Sequence, residues 1–210
     1  MTHKIIIITA VLLVILVINP FQTQSETLPS HNNTLTIEPE SIPTIHYNSE
    51  QPVDPDILKV MEITNWDEDI ATYFVTEARW RGVSVFAEAL PIAYIESRYK
   101  FDVINHNKNG TKDYGLFQIN TVNHNFLMDK LNEEEYFFDS YDMLDPYLNI
   151  VAGIYYIAYL KNQYNIGGHR LFSTYNRGYV GANQYASRNG TYVTAYSKRV
   201  KEIKKQLTDY

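Results

Sequence analysis

Between Asp145 and Gly168 the chain reads DPYLNIVAGIYYIAYLKNQYNIGG, a stretch that narrows the choice of fold more than any other. Asp145 offers a side-chain acceptor to a helix N-terminus, and Pro146 suits a first turn whose backbone donors have no intrahelical partner. Leu148, Val151, Ile154, Tyr155 and Ala158 then recur on one face, and Gly167-Gly168 stops the run. Helix-type spacing returns on both sides. ILKVMEITNW starts it near Asp56, and a second helix is predicted from near Asp67 through DIATYFVTEARWRG. In that helix Ile70, Tyr73, Phe74 and Ala78 make one face and Gly82 marks the end. VSVFAEALPIAYIES predicts a mostly apolar helix ending at or just after Glu96, with Pro91 a kink or a late first-turn residue. LFSTYNRG predicts a short helix turning out at Asn176–Gly178, and TYVTAYSKRVKEIKKQL a terminal helix with a basic end. The Asn/Gly-rich stretch from Asp102 to Asp113 reads as loop or small hairpin. The expected class is mostly α, with at most a small β-hairpin.

The beginning of the chain is of another kind. Lys4 precedes an apolar run of fourteen residues, Ile5–Ile18. That length fits a signal-peptide core, and continuing through Asn19-Pro20-Phe21 makes a marginal anchor. Thr23-Gln24-Ser25 is the best small-x-small cleavage candidate. Residues 1–21 are therefore read as a signal peptide or membrane anchor. Lys4 on the near side favours an amino-terminus in the cytoplasm and a body outside it. Residues 22–55 hold prolines at 29, 39, 43, 52 and 55 among many Ser, Thr and Asn. Such a segment buries too little apolar surface to offset its ordering entropy, so it is read as a flexible linker. Residues 56–210 remain for one globular domain, expected to work outside the cytoplasmic membrane.

Several function classes drop out. A net charge of -6 with no dense basic cluster argues against a nucleic-acid partner. The absence of cysteine excludes disulfides, iron–sulfur clusters and thiolate zinc, and the six histidines make no His-x-x-x-His pair. Asn105-x-Asn107-x-Asn109-Gly110 imitates the start of a calcium loop, but position twelve is Leu116 rather than Glu. No metal and no organic cofactor are expected. Glu133–Glu135 reads as a solvated face.

The chemistry-bearing stretch is IESRYKFDVINHNKNGTKDYGLFQIN, where Glu96 ends an apolar segment and Asp113 follows seventeen residues later. By itself a glutamate after an apolar helix is a solvated end residue. Two features of its setting act on its proton. A helix C-terminus disfavours negative charge, and Leu90, Ile92, Ala93 and Ile95 suggest an apolar wall. Both raise a carboxyl pKa, as a general acid near neutral pH requires, and protonating a glycosidic oxygen is work for such a group.

Glu96-Ser97, the Asn/Gly loop and Asp113-Tyr114-Gly115-Leu116-Phe117-Gln118-Ile119-Asn120 resemble the lysozyme superfamily. They align without a gap to animal c-type lysozymes, whose acid glutamate and second carboxylate stand in the same places. DPYLNIVAGIYYIAYL followed by STYNRG instead resembles the bacterial soluble lytic transglycosylase catalytic domain, with its Ala-x-Tyr-Asn-Ala-Gly element. The absence of cysteine also separates this chain from the c-type enzymes. Within the transglycosylase-like families the nearest look is to small members of secretion and conjugation machines. The resemblance covers about Ala71 to Leu207 and implies a lysozyme-like domain. Ser173 and Arg177 stand where the family usually has alanines, and Tyr192-Val193 where it often has Glu-Thr.

The resemblance implies roles. Glu96 would be the catalytic acid and then the base, with Ser97 bonding near it or touching the peptide on the sugar. Tyr114 and Gln118 would line the glycan groove, joined by Asn120; Tyr114 as a core aromatic and Gln118 as a loop-bracing amide stay open. Tyr175 and Asn176 would face the muramic residue beside the scissile bond, Asn176 at its N-acetyl group, with Tyr175 as a core aromatic still open. Tyr196 would orient the glutamate. The implied activity is that of a peptidoglycan lytic transglycosylase, which cleaves the bond between N-acetylmuramic acid and N-acetylglucosamine and leaves a 1,6-anhydro ring. A muramidase using Glu96 and Asp113 is the rival enzyme, and a non-catalytic glycan-binding or assembly-scaffold protein the rival of another class. Expected partners are peptidoglycan strands, a membrane through the N-terminal segment, and a secretion or conjugation apparatus. The expected location is the cell wall of a bacterium, or the wall crossed by a phage.

Overall fold

The structure, a computed structural model, describes residues 53–134, 136 and 142–209. The apolar run Ile5–Ile18 and the expected linker up to Pro52 lie outside the described residues. The described ones all fall in one compact unit, 49–210. Regular structure opens at Pro55, the last residue read as linker. Helix α1 (Pro55–Thr64) starts there because Asp54 accepts the Asp56 N–H and a proline fits the first turn. It ends on Asn65 in the left-handed region (φ 58°). Asp67 caps α2 (Glu68–Trp80) through the Ile70 N–H, and Gly82 (φ +66°) turns the chain out.

The apolar segment that follows is two helices in one. A π-helical turn, Val85–Ala89, capped by Ser84, runs directly into α3 (Leu90–Ser97). Pro91 has no N–H to give and its ring crowds the carbonyl one turn back, so a wider turn ahead of it takes the proline without breaking the rod. Arg98 and Tyr99 then both adopt positive φ, 58° and 65°. For Tyr99 that backbone is costly. Trp66 holds it by donating Nε1–H to the Tyr99 carbonyl (3.1 Å) and packing its indole against Tyr99 and Phe101.

The expected hairpin is present as β1 (Ile104–His106) and β2 (Lys112–Tyr114), antiparallel with Asn105 opposite Asp113. A two-residue strand, β3 (Ile119–Asn120), adds a third member, with Asp113 opposite Asn120. A 3₁₀ turn, Thr121–Asn123, leads into α4 (His124–Glu133). The sequence reading passed over α4, whose apolar signal is short. Glu133 pairs with Lys130, but Glu134 reaches the guanidinium of Arg81 at 2.8 Å, so that residue of the expected solvated run is engaged.

Helix α5 (Pro146–Tyr164) starts on Asp145 as expected, yet is buried on more than one face: Leu148, Ile150, Val151, Ala152, Ile154, Ile157 and Leu160 are all inaccessible or nearly so. It is the axis that α2, α4 and β3 meet, together with α6 (Gly168–Asn189). Helix α6 breaks at Gly178 (φ 70°, ψ 163°), where the sequence placed the end of a short helix; a second helical length follows. Helix α7 (Ala195–Thr208) packs on α3 and α6, and Thr194 and Ser197 close a capping box at its start.

The sheet is fastened to the axis by one buried amide. Asn149 accepts from the Phe117 N–H (2.9 Å) and donates to the carbonyls of Tyr114 (3.0 Å) and Met143 (2.7 Å). Two glycines make this approach possible. A Cβ on Gly115 (φ +71°) would fall 2.3 Å from the Asn149 amide, and one on Gly153 would fall 2.2 Å from the Phe117 ring. Among the described residues no helix is long and apolar enough to cross a membrane.

Candidate active site

Glu96 occupies the last turn of α3, with buried Ile92 and Ala93 behind it on the same helix. Its carboxyl pKa rises from 4.5 to about 7. Burial is the main cause, since charge is poorly solvated there, and the negative charge of Asp113 adds to it. The Tyr196 hydroxyl opposes both by donating to Glu96 Oε1 at 2.5 Å. Tyr196 stands in the first turn of α7, where packing against α3 and the capping box fix its reach. Burial first, then Glu96, keep the phenol proton in place well beyond its usual range, so it stays a donor.

The carboxyl faces a groove of about 710 Å³. Of the residues singled out from sequence, Glu96, Asp113, Gln118, Asn120, Tyr175 and Asn176 line it. Their work there differs. Both oxygens of Asp113 are occupied, Oδ2 by the Asn107 amide (2.9 Å) and Oδ1 by the Asn120 amide (2.6 Å). Asn120 also donates to Thr111 Oγ1 and accepts the Val122 N–H, so it braces the rim. Gln118, at φ 47°, spends its side chain inside the loop. It donates to the carbonyls of Gly115 (2.8 Å) and Val103 (3.1 Å) and accepts from Asn105 (2.6 Å). It is a loop brace that also shows a surface to the groove. The Tyr175 hydroxyl donates to the Phe117 carbonyl (2.8 Å), tying α6 to the same loop, while Asn176 is exposed on the lip.

Two expected residues stand elsewhere. Ser97 is buried and turns its hydroxyl back to the Ala93 carbonyl (3.3 Å), away from both Glu96 and the groove. A serine in a last helical turn satisfies itself in this way when no other acceptor is near. Tyr114 packs on the core beside His124, ring centroids 5.5 Å apart, and is a packing aromatic rather than a wall of the groove. Tyr196 lies behind Glu96.

Other lining residues escaped the sequence reading. Tyr156 on α5 stacks obliquely on Tyr175 (5.5 Å) and lines the groove, as do Asn107, Lys108 and Arg177. The run of tyrosines on α5 hinted at more than a core stripe. In the asparagine-rich loop, Asn107 and Asn109 bond Thr111. Ser173 is buried and donates to the Tyr192 carbonyl (2.6 Å), holding the segment that leads into α7.

The arrangement is one carboxyl, its pKa raised to about 7, beside an amide-rich rim and open to solvent along a groove. Such a group can give a proton to a bound oxygen and take one back.

A family model described as "Transglycosylase SLT domain" matches residues 74–197. The chain is similar to human lysozyme-like protein 6, with 40% identity over 68 residues, covering 31% of this chain and 43% of that protein. Its fold is similar to an inactive mutant of the lytic transglycosylase Slt from Pseudomonas aeruginosa, with a TM-score of 0.52 and 18% identity. That match covers 73% of this chain and 28% of the other. The chain thus spans less than half the length of either relative.

Proposed function

Because the chain belongs to the transglycosylase SLT domain family, we propose that it is a peptidoglycan lytic transglycosylase with Glu96 as its acid and base. The observation that carries this reading is the Glu96 carboxyl, raised to about 7 at the floor of the groove and steadied by Tyr196. Glu96 donates its proton to the oxygen between N-acetylmuramic acid and N-acetylglucosamine, and the muramic C1–O bond breaks. The sugar's own C6 hydroxyl then attacks C1, and Glu96 takes the proton it loses, which closes the 1,6-anhydro ring. Water is not consumed. An intramolecular nucleophile acts at high effective concentration, so no second carboxylate is required. Tyr175 and Asn176 flank the cleavage point, Asn176 at the N-acetyl group.

A second reading, a muramidase, draws on Asp113, which lines the same groove and whose charge raises the Glu96 proton affinity. Two amides hold the Asp113 oxygens, one N–H to each, and so fix the carboxylate in the rim. Mass spectrometry of the digested wall decides between them. Muropeptides ending in 1,6-anhydromuramic acid, lighter by one water, are expected; reducing ends alone would make the protein a hydrolase. A protein that binds strands and cuts none would be a scaffold.

The site of action proposed is outside the cytoplasmic membrane, on the strength of the Ile5–Ile18 run behind Lys4 and the proline-rich stretch after it. Protease added to intact protoplasts should remove the domain or find it already released. Full protection until lysis would reverse this reading.

A further inference from the structure

Lys108 and Arg177 line the groove and have no part in the acid–base step. Lys108 sits in the turn between β1 and β2, and Arg177 at the last position before the α6 break at Gly178, so they come from separate elements. Both are exposed, and among the described residues neither makes an ion pair. The Arg177 guanidinium lies 4.8 Å over the Tyr185 ring. That contact leaves its N–H groups free of any described acceptor. The proton affinity of Glu96 is set by burial, Tyr196 and Asp113, with no share from either cation. The chain as a whole carries a net charge of -6, so two unpaired cations on one groove run against its general field.

A glycan backbone offers hydroxyls and neutral amides, which ask for no cation. Its carboxylates come from what hangs off the muramic sugar. A guanidinium grips a carboxylate through two parallel N–H bonds, whereas an ammonium acts as a point charge. We propose that Lys108 and Arg177 select glycan strands whose peptide stems carry free carboxylates, with Arg177 as the fork and Lys108 as a charge from the turn between β1 and β2. This rests on the glycan-strand reading above. On stemmed strands the lactyl carboxyl is consumed in the amide to the stem; on stripped strands it is free. The two sources can therefore be separated.

The test uses strands of matched length in three forms: stems with free carboxylates, stems with those carboxylates amidated, and strands stripped of stems. Cleavage is followed with the native protein and binding with Glu96→Gln. Free-carboxylate strands should show a kcat/KM and an affinity about tenfold above the amidated ones. The preference should vanish in the Lys108→Gln, Arg177→Gln double variant and persist in part in Arg177→Lys, which keeps the charge but loses the fork. It should fade between about 0.1 M and about 1 M salt, as the screening length falls from about 10 Å to about 3 Å. Equal treatment of all three forms overturns the proposal and leaves glycan cleavage standing. Tightest binding to stripped strands overturns it in favour of the lactyl carboxylate. Failure to bind or cut any strand removes the proposal together with the proposed function.

Discussion

Glu96 and Asp113 share a groove but are held by different kinds of structure. Glu96 stands on a helical wall, with apolar residues of α3 behind it and one hydrogen-bond donor, the Tyr196 hydroxyl. Asp113 stands on a three-stranded rim and takes an amide N–H on each oxygen. The wall withholds solvation and supplies little in its place, so the proton stays on to about pH 7. The rim surrounds its carboxylate with fixed dipoles. The difference teaches that two carboxyls on one groove can meet opposite surroundings, an apolar helix wall for one and fixed amide donors for the other.

The sharpest way to break the comparison is Glu96→Gln, which keeps the shape and removes the transferable proton. On the proposed mechanism, in which one group is both acid and base, activity on peptidoglycan should fall by about 10³–10⁴-fold with the fold intact. The same variant tests burial. A folded pKa of about 7 against 4.5 means that the native state is penalised as pH rises. The penalty is absent below about pH 4.5, grows through the window, and is complete above about pH 7 at on the order of 3 kcal/mol. Glu96→Gln should therefore melt higher than the native protein above pH 7, with the gap closing towards pH 4.5. A constant gap across that range would mean that the wall does not desolvate the group.

The next largest effect should come from the tie between rim and axis. Asn149→Ala strips three hydrogen bonds and leaves the Phe117 N–H and two carbonyls without their partner. The expected loss is about 3 kcal/mol, roughly a hundredfold in the folding equilibrium. Urea midpoints at unchanged slope would measure it. An unaltered midpoint would show that the rim does not depend on this amide.

Tyr196→Phe sharpens the comparison from the wall side. Its hydroxyl stabilises the charged form of Glu96, so its removal should move the alkaline fall of kcat/KM to higher pH. Asp113→Asn does the converse: loss of its charge should move that fall to lower pH. Most of the turnover and the product type should remain. An activity loss as deep as that of Glu96→Gln, in a protein shown to be folded, would favour the two-carboxylate reading.

What the sequence determined by itself was whatever short-range chemistry controls. Asp67 and Asp145 as caps, Gly82 as a stop, the break at Gly178 and the mostly α class follow from neighbours a few residues apart. Glu96 was marked by its place at the end of an apolar helix, a local feature with a physical consequence. Short α4 was lost because few apolar positions define it, and β3 because two residues carry no period. The resemblance pointed to Tyr196, one hundred residues from Glu96, but only the packing of α7 on α3 brings its hydroxyl to the carboxyl. The same holds for Tyr156, which lies off the apolar face read along α5 and meets Tyr175 only through the packing of α6, and for Lys108 and Arg177, which share a groove from separate elements. Ser97 and Tyr114 show the other direction: a motif gives adjacency along the chain but not the direction a side chain takes, and for Tyr114 the packing fits the core-aromatic alternative. Burial and charge are sums over all neighbours in space, and those neighbours are chosen by the fold.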